Sequence, residues 1–137
     1  MNNIKQIISD LQTYIGKSFE TIRVSAVQNQ EHFFKELKAV NPDKLPAVII
    51  VFDNLVYQSS DAVKEMSLTL VLVDRFQASS SSKAMSLYAA VDKLLGLFPD
   101  DGLVLGETFI IPTDCAAASP DAQFAALALG ITCKQSF

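Results

Sequence analysis

Hydrophobic and polar positions change period several times along this chain, and each change marks an element. The strongest signal lies mid-chain, in the run Leu45-Pro46-Ala47-Val48-Ile49-Ile50-Val51-Phe52 and the run Met66 to Phe76. Both are apolar and rich in β-branched residues, and a polar interval containing Asp53, Asn54, Ser59, Ser60 and Asp61 joins them. The pattern predicts a long β-hairpin over about residues 46–76. Pro46 opens its first strand, where a missing N–H does least harm. In the second strand Met66, Leu68, Leu70 and Leu72 face one way, while Ser67, Thr69, Val71 and Val73 face the other. The second face turns from polar to apolar, which predicts cover on both sides for the later half of the strand.

Around this hairpin the remaining elements follow from spacing. Ile4, Ile7, Ile8, Leu11 and Ile15 form one stripe of a helix over about residues 3–15, with Gly16 at its C-terminal cap. Ile22, Val24 and Ala26 alternate with Thr21, Arg23 and Ser25, as in a half-buried strand. Asn29 is placed to cap a second helix carrying Phe33, Phe34 and Leu37, which Asn41-Pro42-Asp43 ends. After the serine run at Ser79 to Ser82, the positions Ala84, Leu87, Tyr88, Val91, Leu94, Leu95 and Phe98 give the clearest helical stripe. Pro99-Asp100-Asp101-Gly102 stops it.

Leu103 to Pro112 reads as a strand with a bulge at Gly106, and Thr113 to Asp121 as a loop of small residues. Gln123 to Lys134 reads as a closing strand. It sets Ala125, Leu127, Leu129, Ile131 and Cys133 against the smaller face of Phe124, Ala126, Ala128, Gly130 and Thr132. The expectation is a single α+β domain over residues 1–137, a two-layer sandwich with a mainly antiparallel sheet and its helices packed on one face.

Composition narrows the function classes. Half of the 137 residues are hydrophobic and 19% are charged, which excludes a disordered chain and supplies a sizeable core. A net charge of −4 offers no footprint for nucleic acid or an anionic membrane. No apolar stretch approaches the roughly 20 residues of a membrane helix. The first residues do not follow the signal-peptide pattern, so the expected place is the cytoplasm. Cys115 and Cys133 read as free thiols.

Candidate chemistry is sparse. His32 is the single histidine and has no ligand-type or acid–base partners at motif spacing. Asp100-Asp101-Gly102 lacks the alternating ligands of a calcium loop, and the serine run lacks a nucleophile elbow. Cys115 has no basic neighbour in sequence to depress its pKa. The expectation is therefore no catalytic residue, no metal and no cofactor. Two surface candidates remain. Ser59, Asp61, Lys64 and Glu65 form the longest polar interval between strong strands, a loop suited to touching a neighbouring subunit. Asp100, Asp101 and Glu107 fall in a stretch with no basic residue between Lys93 and Lys134, a candidate acidic face.

The Leu45–Val51 and Leu68–Arg75 strands, the Leu87–Phe98 helix and the closing strand pair together resemble a known family. They are similar to the small tail-completion proteins of long-tailed bacteriophages and Mu-like prophages, the tail-terminator and minor tail proteins. The likeness covers nearly the whole chain and rests on hydrophobic patterns. It implies an α+β fold and a structural role as a ring, commonly hexameric, that caps the tail tube and joins it to the head. The implied partners are copies of the chain itself, tail-tube proteins and head–tail connector proteins, with no sequence-specific nucleic acid and no membrane. The place so implied is the bacterial cytoplasm and then the virion tail, and an acidic face there would line the channel and let DNA pass without adhering. The competing readings are a non-catalytic adaptor that adds a strand to a partner and an α+β domain that binds a small molecule.

Overall fold

The computed structural model describes residues 3–25, 30–40, 44–58, 63–75, 81–121 and 124–136. Its elements are α1 (Ile4–Ile15), β1 (Thr21–Val24), α2 (Gln30–Ala39), β2 (Ala47–Gln58), β3 (Val63–Arg75), α3 (Ser81–Gly96), β4 (Leu103–Leu105), β5 (Thr108–Asp121) and β6 (Phe124–Ser136). All six strands join one sheet in the order β1-β2-β3-β6-β5-β4. The fold is the expected α+β sandwich, with a mixed sheet: β1 runs parallel to β2 and every other neighbour is antiparallel.

The long hairpin forms where the β-branched runs placed it, as β2 and β3, from Ala47↔Val73 to Gln58↔Val63. The β3–β6 ladder is unbroken from Val63↔Ser136 to Arg75↔Phe124. These two ladders set the core. Val48, Ile50, Leu68, Leu70, Leu72, Leu129 and Ile131 point to one face and meet Ile7, Leu11 and Ile15 of α1 and Val91 and Leu94 of α3. Asn3 caps α1 by accepting from the Gln6 N–H at 2.8 Å. The Tyr14 hydroxyl donates to the Leu97 carbonyl at 2.5 Å, tying α1 to the end of α3.

The expectation that the helices share one face is corrected for α2. Leu37 and Val40 at its end pack on Ala47, Ile49, Val71, Val73 and Ala126, which lie on the opposite side of the sheet. The physical reason is twofold. The second face of β3 becomes apolar at Val71 and Val73 and must be covered. A parallel β1–β2 pair also needs a crossover, and α2 is that crossover. Arg23 of β1 donates to Glu36 of α2 and fixes the helix to the sheet edge.

Two further expectations change. Leu103 to Pro112 is not one strand with a bulge: Gly106 and Glu107 form a turn that splits it into β4 and the start of β5. Thr113 to Asp121 is not a loop but the continuation of β5, paired with β6 down to Asp121↔Phe124. Alanine-rich sequence has little strand preference of its own, so the ladder to β6 decides its conformation. Gly130 suits this pairing. A Cβ there would collide with the Asp114 carboxylate and lie 2.7 Å from the Thr113 hydroxyl.

Candidate functional site

The sheet has two incompletely covered flanks, and these are its most distinctive surface. Strand β1 spans four residues and pairs only with Ala47–Ile50 of β2. Strand β4 spans three and pairs only with Thr108–Ile110 of β5. Among the described residues, nothing pairs with the outer edge of β2 after Val51 or of β5 from Ile111 onward. Among the described residues the backbone N–H and C=O groups along these edges have no strand partner, and such a row is the standard template for adding a strand. Both lie on the outside of long hairpins, whose strands outrun their short outer neighbours.

Side chains at the two edges differ in size. On β2, Val56 is 46% exposed and Tyr57 is 66% exposed. On β5, Thr113, Asp114, Cys115, Ala116 and Ala117 are exposed and small. Beside the β2 edge, α1 and the sheet enclose a groove of about 390 Å³ floored by Ile7, Leu55, Met66 and Cys133. Lys5 and Lys64 also line it. The Lys64 ammonium lies 5.5 Å from the centre of the Tyr57 ring, which holds the ring at the groove mouth.

The residues singled out from sequence fall as follows. Ser59 and Asp61 lie outside the described residues. Lys64 and Glu65 belong to strand β3 rather than to the connecting loop, and they point to opposite faces, Glu65 toward Lys134 at 3.6 Å. Asp100 and Asp101 sit exposed in the turn before β4, whereas Glu107 sits exposed in the turn after it. The three acidic residues thus stand at the two ends of β4. The small face of Phe124–Thr132 does not lie at an edge, because β6 is paired on both sides, by β3 and β5. The edge of β5 leaves no mark in the sequence, because the small residues of Thr113–Asp121 carry a loop pattern.

His32 lies 3.6 Å from Glu36 on α2, as an i,i+4 pair. Among the described residues no group of three or more His, Cys, Asp or Glu is placed to hold a metal. No helix there is long and apolar enough to cross a membrane.

Both cysteines are free, Cys115 exposed and Cys133 buried. Partial burial and the adjacent Asp114 carboxylate raise the Cys115 pKa. Burial pushes the Cys133 thiol up to about 12 from an ordinary value of 9.0. A folded-state value above the unfolded one means full stabilisation below the unfolded pKa and loss as pH rises toward the folded one. Stability is therefore expected to fall by about 1.4 kcal/mol per pH unit between roughly 9 and 12 on account of this group. Urea unfolding across that range checks it, since Cys133→Ala should remove that part of the slope. In the folded single chain at pH 8 a thiol reagent should modify Cys115 and reach Cys133 only on unfolding.

Compared with known proteins, the chain matches no family model and no curated sequence.

Proposed function

We propose that this chain is a structural subunit that assembles head to tail into a ring, serving as a tail-completion protein that caps a phage or prophage tail tube and joins it to the head. The observation that carries the reading is the pair of open strand edges on opposite flanks of one sheet, β2 beyond Val51 and β5 beyond Ile110. Two different surfaces on opposite sides of a subunit make heterologous contacts. Repetition of such contacts closes into a ring when the rotation per step divides a full turn. The tail role comes from the hydrophobic pattern of the Leu45–Val51, Leu68–Arg75 and Leu87–Phe98 segments, and the α+β sandwich agrees with it. In this role the chain carries no reaction. Its work is to present edges, and its place is the bacterial cytoplasm before the virion.

The genomic neighbourhood tests the tail assignment. Sequencing the DNA that flanks the gene should reveal capsid, connector, tail-tube and tape-measure genes. A neighbourhood of metabolic enzymes would sink the assignment. The adaptor reading shares the open edges but predicts a stable monomer or dimer, so particle size separates the two.

A further inference from the structure

We infer that the two open edges fit each other: Asn54–Gln58 on β2 of one copy pairs antiparallel with Asp114–Ala118 on β5 of the next, and sets Tyr57 directly beside Cys115. This inference rests on the ring reading and names its joint. Four features of the chain converge on it.

The first is length. A register break separates Phe52 from Asn54, after which Asn54–Gln58 runs regularly for five residues. On β5, breaks after Pro112 and after Ala118 leave Asp114–Ala118, also five regular residues. The second is direction. β2 is antiparallel to β3, β3 to β6 and β6 to β5, so β2 and β5 run in opposite senses. Setting the β5 flank of one copy against the β2 flank of the next therefore gives an antiparallel ladder without turning either copy over.

The third is facing. Aligning the two stretches end to end places Tyr57 opposite Cys115, Val56 opposite Ala116 and Leu55 opposite Ala117. Cys115 and Ala117 stand across from Leu129 and Leu127 on the face that carries α1 and α3. Leu55 and Tyr57 line the groove on that same face. Every opposed pair thus points to the same side, as a continuous sheet requires. A one-residue slip would break this agreement at every position.

The fourth is complementarity of size. Large exposed side chains at Val56 and Tyr57 meet small ones at Cys115, Ala116 and Ala117. A five-residue ladder buries less than the roughly 1,200 Å² of a stable pairwise interface. A single joint is accordingly weak, and closure of the ring, with two joints per copy, is what holds the assembly. Both open segments are the C-terminal parts of strands that run in opposite senses, so they lie at opposite ends of the sheet; each copy is displaced along the strand direction and the strands of a closed ring must tilt to its axis.

The test is Tyr57→Cys in the full chain under mild oxidation. Directly opposed residues of an antiparallel pair have Cα atoms about 4.5–5.5 Å apart, inside the roughly 4.4–6.8 Å that a disulfide spans. The introduced thiol should bond to Cys115 of another copy, giving a ladder of covalent oligomers on a non-reducing gel that Cys115→Ser abolishes. A second measurement needs no substitution: in the assembled wild-type protein, amides of residues 54–58 and 114–118 should gain protection from hydrogen exchange and lose it on dilution. An assembled protein with no such cross-link and with protection elsewhere overturns this joint while leaving the ring reading intact. Cys115–Cys115 dimers in the unsubstituted chain overturn it in favour of two β5 edges meeting symmetrically. A protein that never assembles overturns the ring and the joint together.

Discussion

Leu70→Ala should destabilise the protein by about 2–5 kcal/mol, among the largest effects expected of a single aliphatic truncation here. Leu70 is fully buried on the central strand β3, flanked by Ile50 of β2 and Leu129 of β6 in register. It belongs to the cluster in which α1 and α3 meet the sheet. Removing its branched end forfeits the transfer of that surface from water and leaves a void. Strands hydrogen-bonded on both sides cannot close such a void by shifting. Urea unfolding should show a lower midpoint with an unchanged slope, the sign of lost stability without loss of compactness. Leu95→Ala is the matched control: Leu95 is 37% exposed on α3, and its truncation should cost well under half as much.

Gly102→Ala is expected to be the most damaging of the glycine substitutions. Gly102 has φ +100, a conformation that an L side chain adopts only under strain, and its N–H closes the turn to the Pro99 carbonyl at 2.9 Å. The backbone term alone is about 1–3 kcal/mol. A Cβ at this position would also run into the Phe109 ring, which lies over the glycine. Gly96→Ala makes the contrast, because its Cβ would meet nothing within 4 Å at the end of α3. There the substitution should stabilise by about 0.5–1 kcal/mol, through helix preference and a less free unfolded chain. A double-mutant cycle with Phe109→Leu separates the two terms at Gly102: the steric part should shrink and the backbone part should stay.

These sites show what the sequence made legible. The hairpin over residues 46–76 was readable because Ala47–Val51 and Leu68–Val73 are dense in β-branched and aliphatic residues with a polar interval between. Helices α1 and α3 were readable because one stripe of each is apolar, and the alternation of Leu127, Leu129, Ile131 and Cys133 gave β6 its inner face. The turn at Pro99–Gly102 was readable from residue chemistry alone.

What escaped were consequences of pairing between distant segments. Asp114, Cys115, Ala116 and Ala117 have no strand signature, yet β6 holds them in a ladder. The parallel β1–β2 pair is invisible in period, and with it the placement of α2 on the second face. The candidate site shares that origin. An open edge is a property of strand order and of the shortness of β1 and β4, neither of which any local pattern encodes. Val56 and Tyr57 on one flank and Cys115 to Ala117 on the other become a surface only once β3 and β6 are placed between them.

The central claim is that this chain closes on copies of itself through its edges, and native mass spectrometry of the full chain over a range of concentrations tests it most directly. The account predicts one discrete closed species at several times 14.9 kDa, dispersed to single chains by Ala116→Lys, which puts a charge in the middle of the β5 edge. A species of 14.9 kDa at every concentration, indifferent to that substitution, would contradict it.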